Sequence, residues 1–515
     1  MDRSRLILFL LVSLGLVALA GWLVSGGRNP SSSSRVEGRD RPDPGTRASR
    51  DATAEGDVAG DAIWGRGAQD PGDDDPLEPD VTEQDYGVRA QAYYTPEEQA
   101  RHRRQFRGRL ARLTGGGDPE LADCLALARW AADKEIPDLY GLALRYTLLV
   151  HSGSQEARRR LTRLRRSLRR LPVNRAAGKS LMAHLGGEFR LLRTPHFRVA
   201  YDTEEPFARQ IGVLLERVHR AFFRFFTVRH FEPVPPADRL EVVIFGSRAD
   251  YRRATEHLGA HLVSTSGVFV GKDNRTYFYD ALNEPSLDRS RRNISDSVGS
   301  LQRFLKDLET EDAGRRFDIT IGNQAYPSVD RARARRLLRA EVRRLQSQKR
   351  QIHHRFEGRN TARAVHEIVH HLAYAAGIHG RFRSSPTWLI EGLAMYFETA
   401  ESLSGRWLGP GEVNETRRRG FRRDLKAGLG VDLSELVSSD RGFRQSGKVM
   451  NRTYNAAWAL FHFLVTEHHD ALFDLMANLS IEIASERATA EGRRQELTRV
   501  FGPLREVERR WLRSF

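Results

Sequence analysis

The chain has 515 residues, 40% of them hydrophobic and 29% charged, which allows roughly two to four ordinary domains and is too polar throughout for a uniform membrane transporter. A single cysteine, Cys124, excludes an internal disulfide framework and a thiolate zinc cluster, so any bound metal must be held by His, Asp or Glu. The formal charge of +16 is uneven: residues 28–92 hold 15 acidic residues against 8 arginines, residues 1–27 carry +1, and the remainder carries +22.

Residues 1–27 read as an export signal. Asp2, Arg3 and Arg5 precede an apolar run from Leu6 to Val24, interrupted only by Ser13, close to the length that spans a bilayer as a helix. Uncleaved it is a single-span anchor with an extracytoplasmic body; cleaved at Ala18-Leu19-Ala20 it is a signal peptide of a secreted or periplasmic protein. Residues 28–92, rich in Ser, Asp-Pro and Gly-Asp and with the cluster Asp73, Asp74, Asp75, read as a disordered acidic tether. Thr95-Pro96-Glu97-Glu98 then has capping-box spacing with proline at the first helical position, and order begins there.

Residues 93–172 read as a helical hairpin segment. Leu121, Leu125, Ala128 and Ala132, then Leu139, Leu142, Ala143, Tyr146 and Leu149, form two stripes separated by Pro137, as in one tetratricopeptide-like unit. A third helix, Glu156 to Leu171, sets Leu161, Leu164, Leu168 and Leu171 against eight arginines. Beyond Pro172 the pattern is α+β and mainly helical. Strands are expected at His196 to Tyr201, Leu240 to Phe245, Ser266 to Val270 and Thr276 to Tyr279, with a helix over Glu205 to Phe226 and another capped by Ser247. A charged insertion, residues 284–360, ends in a long helix expected to start at Ser328. Its arginine run, Arg331 to Arg350, has no interleaved aromatics, so it reads as an exposed arm rather than a nucleic-acid groove.

The chemistry is concentrated further on. Within the helix Thr361 to Ala376 stands His366-Glu367-Ile368-Val369-His370. Residues four apart share a helical face, so both imidazoles can reach one ion while Glu367 contacts water beside it. Val365, Ile368, Val369, Leu372 and Ala373 make the helix buried, where polar side chains are costly without partners. Two histidines need a further ligand, and Glu391, set in the apolar stretch Trp388 to Phe397, is the candidate; Gly392 is expected to let the two helices approach. His379 is a more remote alternative.

HEIVHHL from His366 and PTWLIEGLAMYFE from Pro386 resemble the gluzincin clan of zinc metallopeptidases. They are most similar to bacterial exported or membrane-associated gluzincin-like domains, and the resemblance extends over residues 190–515. It implies a gluzincin-like metallopeptidase domain with a small sheet, Zn2+ held by His366, His370 and Glu391, Glu367 as the catalytic base, and Glu398 as a carboxylate standing behind the ligands. Met395 occupies the place where thermolysin-type enzymes carry an acid. Tyr454, about 63 residues after Glu391, resembles the oxyanion-donating tyrosine of the aminopeptidases, the other reading being packing beside Trp458. The implied activity is peptide-bond hydrolysis on a peptide or protein substrate; the rival is a non-catalytic envelope scaffold with a structural metal site. The cell membrane is a partner through the N-terminal helix, and the basic body admits an anionic envelope partner. The export signal argues against nucleic acid.

Overall fold

The computed structural model describes Ile7–Leu8 and residues 96–515, apart from 116–118, 169–170, 172, 230, 232, 257–265, 272, 312–313, 380–384, 402–405, 446 and 482–488. The tether lies outside the described residues, as does the export segment save Ile7–Leu8 (β1), a two-residue strand parallel to Asp318 and Ile319. Among the described residues no helix is long and apolar enough to cross a membrane.

The fold is α+β and mainly helical. Four N-terminal helices, α1 (Pro96–Thr114), α2 (Leu121–Asp133), α3 (Pro137–Val150) and α4 (Gln155–Ser167), share a core of Phe106, Leu110, Cys124, Leu139 and Leu161. Two expectations change here. The buried face of α2 is Cys124, Leu125, Leu127, Ala128 and Ala131, with Leu121 and Ala132 exposed, and Leu149 of α3 is also exposed. Helix α4 stops at Ser167, where the Leu168 N–H closes on Leu164 O, instead of running to Leu171. The segment is docked on the rest of the chain by Arg145 of α3, whose guanidinium donates to Gly377 O at 2.7 Å and to Ser480 Oγ at 2.8 Å and lies 4.5 Å from the Phe231 ring.

After α5 (Arg175–Leu185) comes a five-stranded sheet in the order β2, β3, β4, β6, β5: Arg190–Arg193, Phe197–Tyr201, Leu240–Phe245, Arg275–Tyr279 and Gly267–Val270. The three central strands are parallel and both outer ones antiparallel. Period-two alternation gives the sheet two buried faces. Phe197, Val199, Val242, Ile244 and Phe278 join the main core, while Ala200, Val243, Phe245, Tyr277 and Tyr279 face Leu181 and Tyr251, which belong to α5 and to α7 (Arg248–Thr255). Ser247 caps α7 as expected, accepting from the Asp250 N–H at 3.1 Å. Helix α6 (Glu205–Thr227) contributes Leu215, Val218, Phe222, Phe225 and Phe226 to the main core.

The insertion forms an arm. Helix α8 (Pro285–Thr310) packs on the first half of α9 (Arg331–Ala375) through Ile294, Leu301, Leu308, Leu338 and Leu345, and the hairpin β7 (Phe317–Ile321) and β8 (Gln324–Val329) closes its end. Helix α9 is not started by Ser328, which lies within β8 at φ +50; Asp330 caps it, accepting from the Arg333 N–H at 2.7 Å. It also runs unbroken for 45 residues, about 67 Å, where the sequence reading has two helices. The junction at Asn360 is held by tertiary bonds: its amide donates to Asp280 at 2.8 Å and accepts from the Ala281 N–H at 2.9 Å. The arm and the HEIVH segment are therefore one rod. Opposite the apolar seam, the exposed Arg336, Arg339, Arg343 and Arg350 fall on one narrow helical stripe.

Helix α10 (Thr387–Phe397) lies between α9 and α13 (Gly447–Glu467); the remaining helices are α11 (Glu415–Lys426), α12 (Leu433–Ser438), α14 (His469–Ile481), α15 (Ala490–Phe501) and α16 (Leu504–Arg513). Gly392 serves a different contact from the one expected. A Cβ there would stand 2.7 Å from Phe461 Cβ and 3.0 Å from Ala457 O, so its missing side chain seats α10 on α13 rather than on the HEIVH helix.

Candidate metal centre

His366 and His370 stand one turn apart on α9, and α10 delivers Glu391 to both. The ligating atoms form a triangle with His366 Nε2 to His370 Nε2 at 3.1 Å, His366 Nε2 to Glu391 Oε2 at 3.2 Å, and His370 Nε2 to Glu391 Oε2 at 3.6 Å. Two ligand atoms of a tetrahedral zinc, each at about 2.0–2.1 Å, lie about 3.3 Å apart, so the triangle has the size of one face of such a site. These side chains are only 12–15% exposed. A buried carboxylate facing two imidazole nitrogens, with a second and a third carboxylate nearby, is a donor set that suits a dication.

Electrostatics agree with this reading. Burial pushes the Glu391 carboxyl up, but His370 and His366 outweigh it and hold it well below the usual range. Burial opposes charge on His366, yet hydrogen bonds to Glu391 and Glu398 raise its pKa well above the ordinary value. Glu398 terminates α10 and turns its carboxylate to His366 Nδ1 at 3.1 Å. Arg417 of α11 reaches the same oxygen at 3.5 Å, and Asn414, the cap of α11, donates to Glu398 O at 2.8 Å. Burial raises Glu398, and Arg417 and His366 bring it below the usual range. The carboxylate orients the imidazole from behind, as outer partners of metal-bound histidines do.

Glu367 is raised by burial, an effect that His366 and His370 only partly offset, and accepts a hydrogen bond from the Phe269 backbone N–H. That contact exists because Gly267 has no side chain: a Cβ there would lie 2.9 Å from Glu367 Cγ and from Arg363 Cγ. Strand β5 thus runs beside the candidate base as the edge of the sheet, paired on its inner side with β6. Tyr454 of α13 faces the same cluster. Its hydroxyl is raised well above the usual range by burial and then by Glu391 and Glu367, so it stays protonated as a donor. Its ring packs on Phe443 at 5.3 Å, with Arg417 at 5.7 Å. Every residue named for the site from sequence is therefore brought together. Sequence reasoning missed Arg417 and Asn414, which lie in an arginine-rich stretch with no local pattern to mark them.

His379 is 6% exposed, and neither ring nitrogen has a partner among the described residues. Burial lowers its pKa to about 3, with His370 and Glu391 as the nearest charged influences.

A second grouping, His196, Glu216 and His219, has a different geometry. The two imidazoles stack with centroids 3.7 Å apart at 18°, so their in-plane lone pairs run side by side instead of converging on one point. Glu216 is already engaged, accepting from His196 Nδ1 at 2.6 Å, from the His196 N–H at 2.8 Å and from the Thr194 hydroxyl at 2.6 Å. This cluster clamps the turn between β2 and β3 onto α6. Burial, then the charge of His196, lowers His219 to about 3. Below its unfolded pKa of about 6.5 the unfolded chain takes up a proton that the folded chain refuses, so this contribution is complete above that pH and is lost as pH falls toward 3. Between pH 7 and pH 5 the loss is about 2 kcal/mol for this one group. Thermal melts across that range are expected to fall less steeply for His219→Phe than for the parent chain.

A family of proteins of unknown function, DUF1570, matches the chain over residues 360–485, a stretch that carries His366, Glu367, His370, Glu391, Glu398, Arg417 and Tyr454. No curated protein matches the chain, and no solved structure does.

Proposed function

We propose that the chain is a zinc-dependent peptidase of gluzincin type, exported and held at the cell membrane by its N-terminal segment. The observation that carries the reading is the triangle of His366, His370 and Glu391, sized for one face of a tetrahedral ion, with Glu367 and Tyr454 beside it. Bound by those three side chains, zinc would supply a Lewis acid that polarises the scissile carbonyl and lowers the pKa of water.

The protein's own groups supply the rest. Glu367, raised toward the working pH, takes a proton from the attacking water and passes it to the leaving amine. Glu398, held by Arg417, fixes the ring of His366. The β5 edge offers backbone groups to an extended peptide, as a sheet edge does for an added strand. Tyr454 donates to the carbonyl oxygen as that oxygen gains negative charge. Tyr454→Phe is accordingly expected to lower kcat by roughly a hundredfold with KM nearly unchanged; an effect confined to KM would assign the hydroxyl to substrate binding.

Beyond the site, the arginine stripe of the arm suits an anionic envelope partner. Metal analysis of the purified chain, combined with a broad peptide-library cleavage assay, tests the main reading. One zinc per chain and cleavage abolished by chelation are expected, and a chain that holds no zinc at neutral pH would refute it.

A further inference from the structure

A metal-bound imidazole nearly always donates its remaining ring N–H to an acceptor, which fixes its tautomer and orientation. His366 has such an acceptor in Glu398. His370 does not: its Nδ1 is buried without a partner among the described residues. An N–H left unpaired in the interior loses its hydration without compensation.

Another buried group, close in sequence, is unpaired and able to accept. After α9 the chain reverses at Gly377, whose φ is +70. The N–H groups of Ile378 and His379 then return to the Ala373 carbonyl at 2.8 and 3.1 Å. Ala373 is one helical turn beyond His370, so the reversal lays His379 back along the turn that carries the ligand. There His379 is 6% exposed, has no partner at either ring nitrogen among the described residues, and is within electrostatic reach of both His370 and Glu391. Its neutral ring supplies one accepting nitrogen.

We propose that His379 is the positioning residue for His370, accepting the hydrogen bond of its Nδ1–H through one buried water, so that each histidine of the proposed metal site is oriented from behind by its own partner. The proposal rests on the metal reading above. Loss of the acceptor is expected to weaken the metal without removing a ligand.

The test is zinc affinity by chelator competition on the full chain, with the visible absorption of the cobalt-substituted form as a second readout. His379→Leu is expected to weaken zinc by about 10–100-fold and to shift the cobalt bands, with the thermal stability of the metal-free chain equal to that of the parent or higher. His379→Gln, whose amide oxygen can accept, is expected to recover most of the affinity. If the leucine chain does not fold, His379→Ala takes its place, and equal affinity in the alanine and glutamine chains overturns the proposal. So does a leucine chain that binds zinc as tightly as the parent. A parent chain that binds neither zinc nor cobalt would remove the metal reading itself, whereas a parent that binds, with variants that bind equally well, removes only the role of His379.

Discussion

Glu367→Gln is expected to keep the fold and the zinc and to lose hydrolysis of any substrate the parent cleaves by about 10²–10⁴-fold. The side chain keeps its size, and its amide oxygen can still accept the Phe269 N–H, but a glutamine cannot take a proton. Glu367 is not one of the three atoms that form the triangle, so metal content is expected to stay at one per chain. Comparing turnover and metal content on the same preparation makes the result unambiguous. Unchanged turnover would remove the proposed chemistry, and loss of zinc would make Glu367 a ligand.

The second large effect belongs to His370→Ala. Zinc sites with deprotonated protein ligands bind with apparent energies of about 10–16 kcal/mol spread over a few ligands, so deleting one of them should cost roughly a thousandfold or more in affinity. The fold should survive, because α9 is anchored along its length by Val365, Ile368, Val369 and Leu372 in the main core and by Asn360 at its centre. Full zinc occupancy in the variant would mean that the ligands are misassigned.

Much of the site was legible because its information is local. The four-residue interval of His366 and His370 is a helical period, and Glu391 stands out as a carboxylate in an apolar stretch. The strands Leu240–Phe245 and Phe197–Tyr201 were legible from β-branched and aromatic runs with clear boundaries. What failed depended on partners distant in sequence. Asn360 stands where the sequence reading divides two helices, yet Asp280 and the Ala281 N–H satisfy the asparagine and the helix continues. Ser328 looks like a helix cap, but it belongs to a strand whose pairing with β7 could have been read from Phe317, Ile319 and Ile321 ahead of Gly322-Asn323. Gly392 was rightly seen as a close approach and assigned to the wrong neighbour, since helical spacing does not say which helix lies opposite. Arg417 acquires its meaning only from Glu398 and Tyr454.

The grip of Arg145 on the Gly377 carbonyl bears on how the chain can be divided. All the proposed ligands lie downstream of residue 190, which makes a fragment starting at the sheet look self-sufficient. Such a fragment would leave the Gly377 carbonyl without its guanidinium donor and would expose Phe231 and Ser480, and the reversal that carries His379 would keep its apolar seat through Ala376 and Ile378 but lose this polar tie. The N-terminal helices thus act as an external brace on the end of the rod that bears both histidines. The shortest piece of this chain expected to report the properties of the site begins at α1.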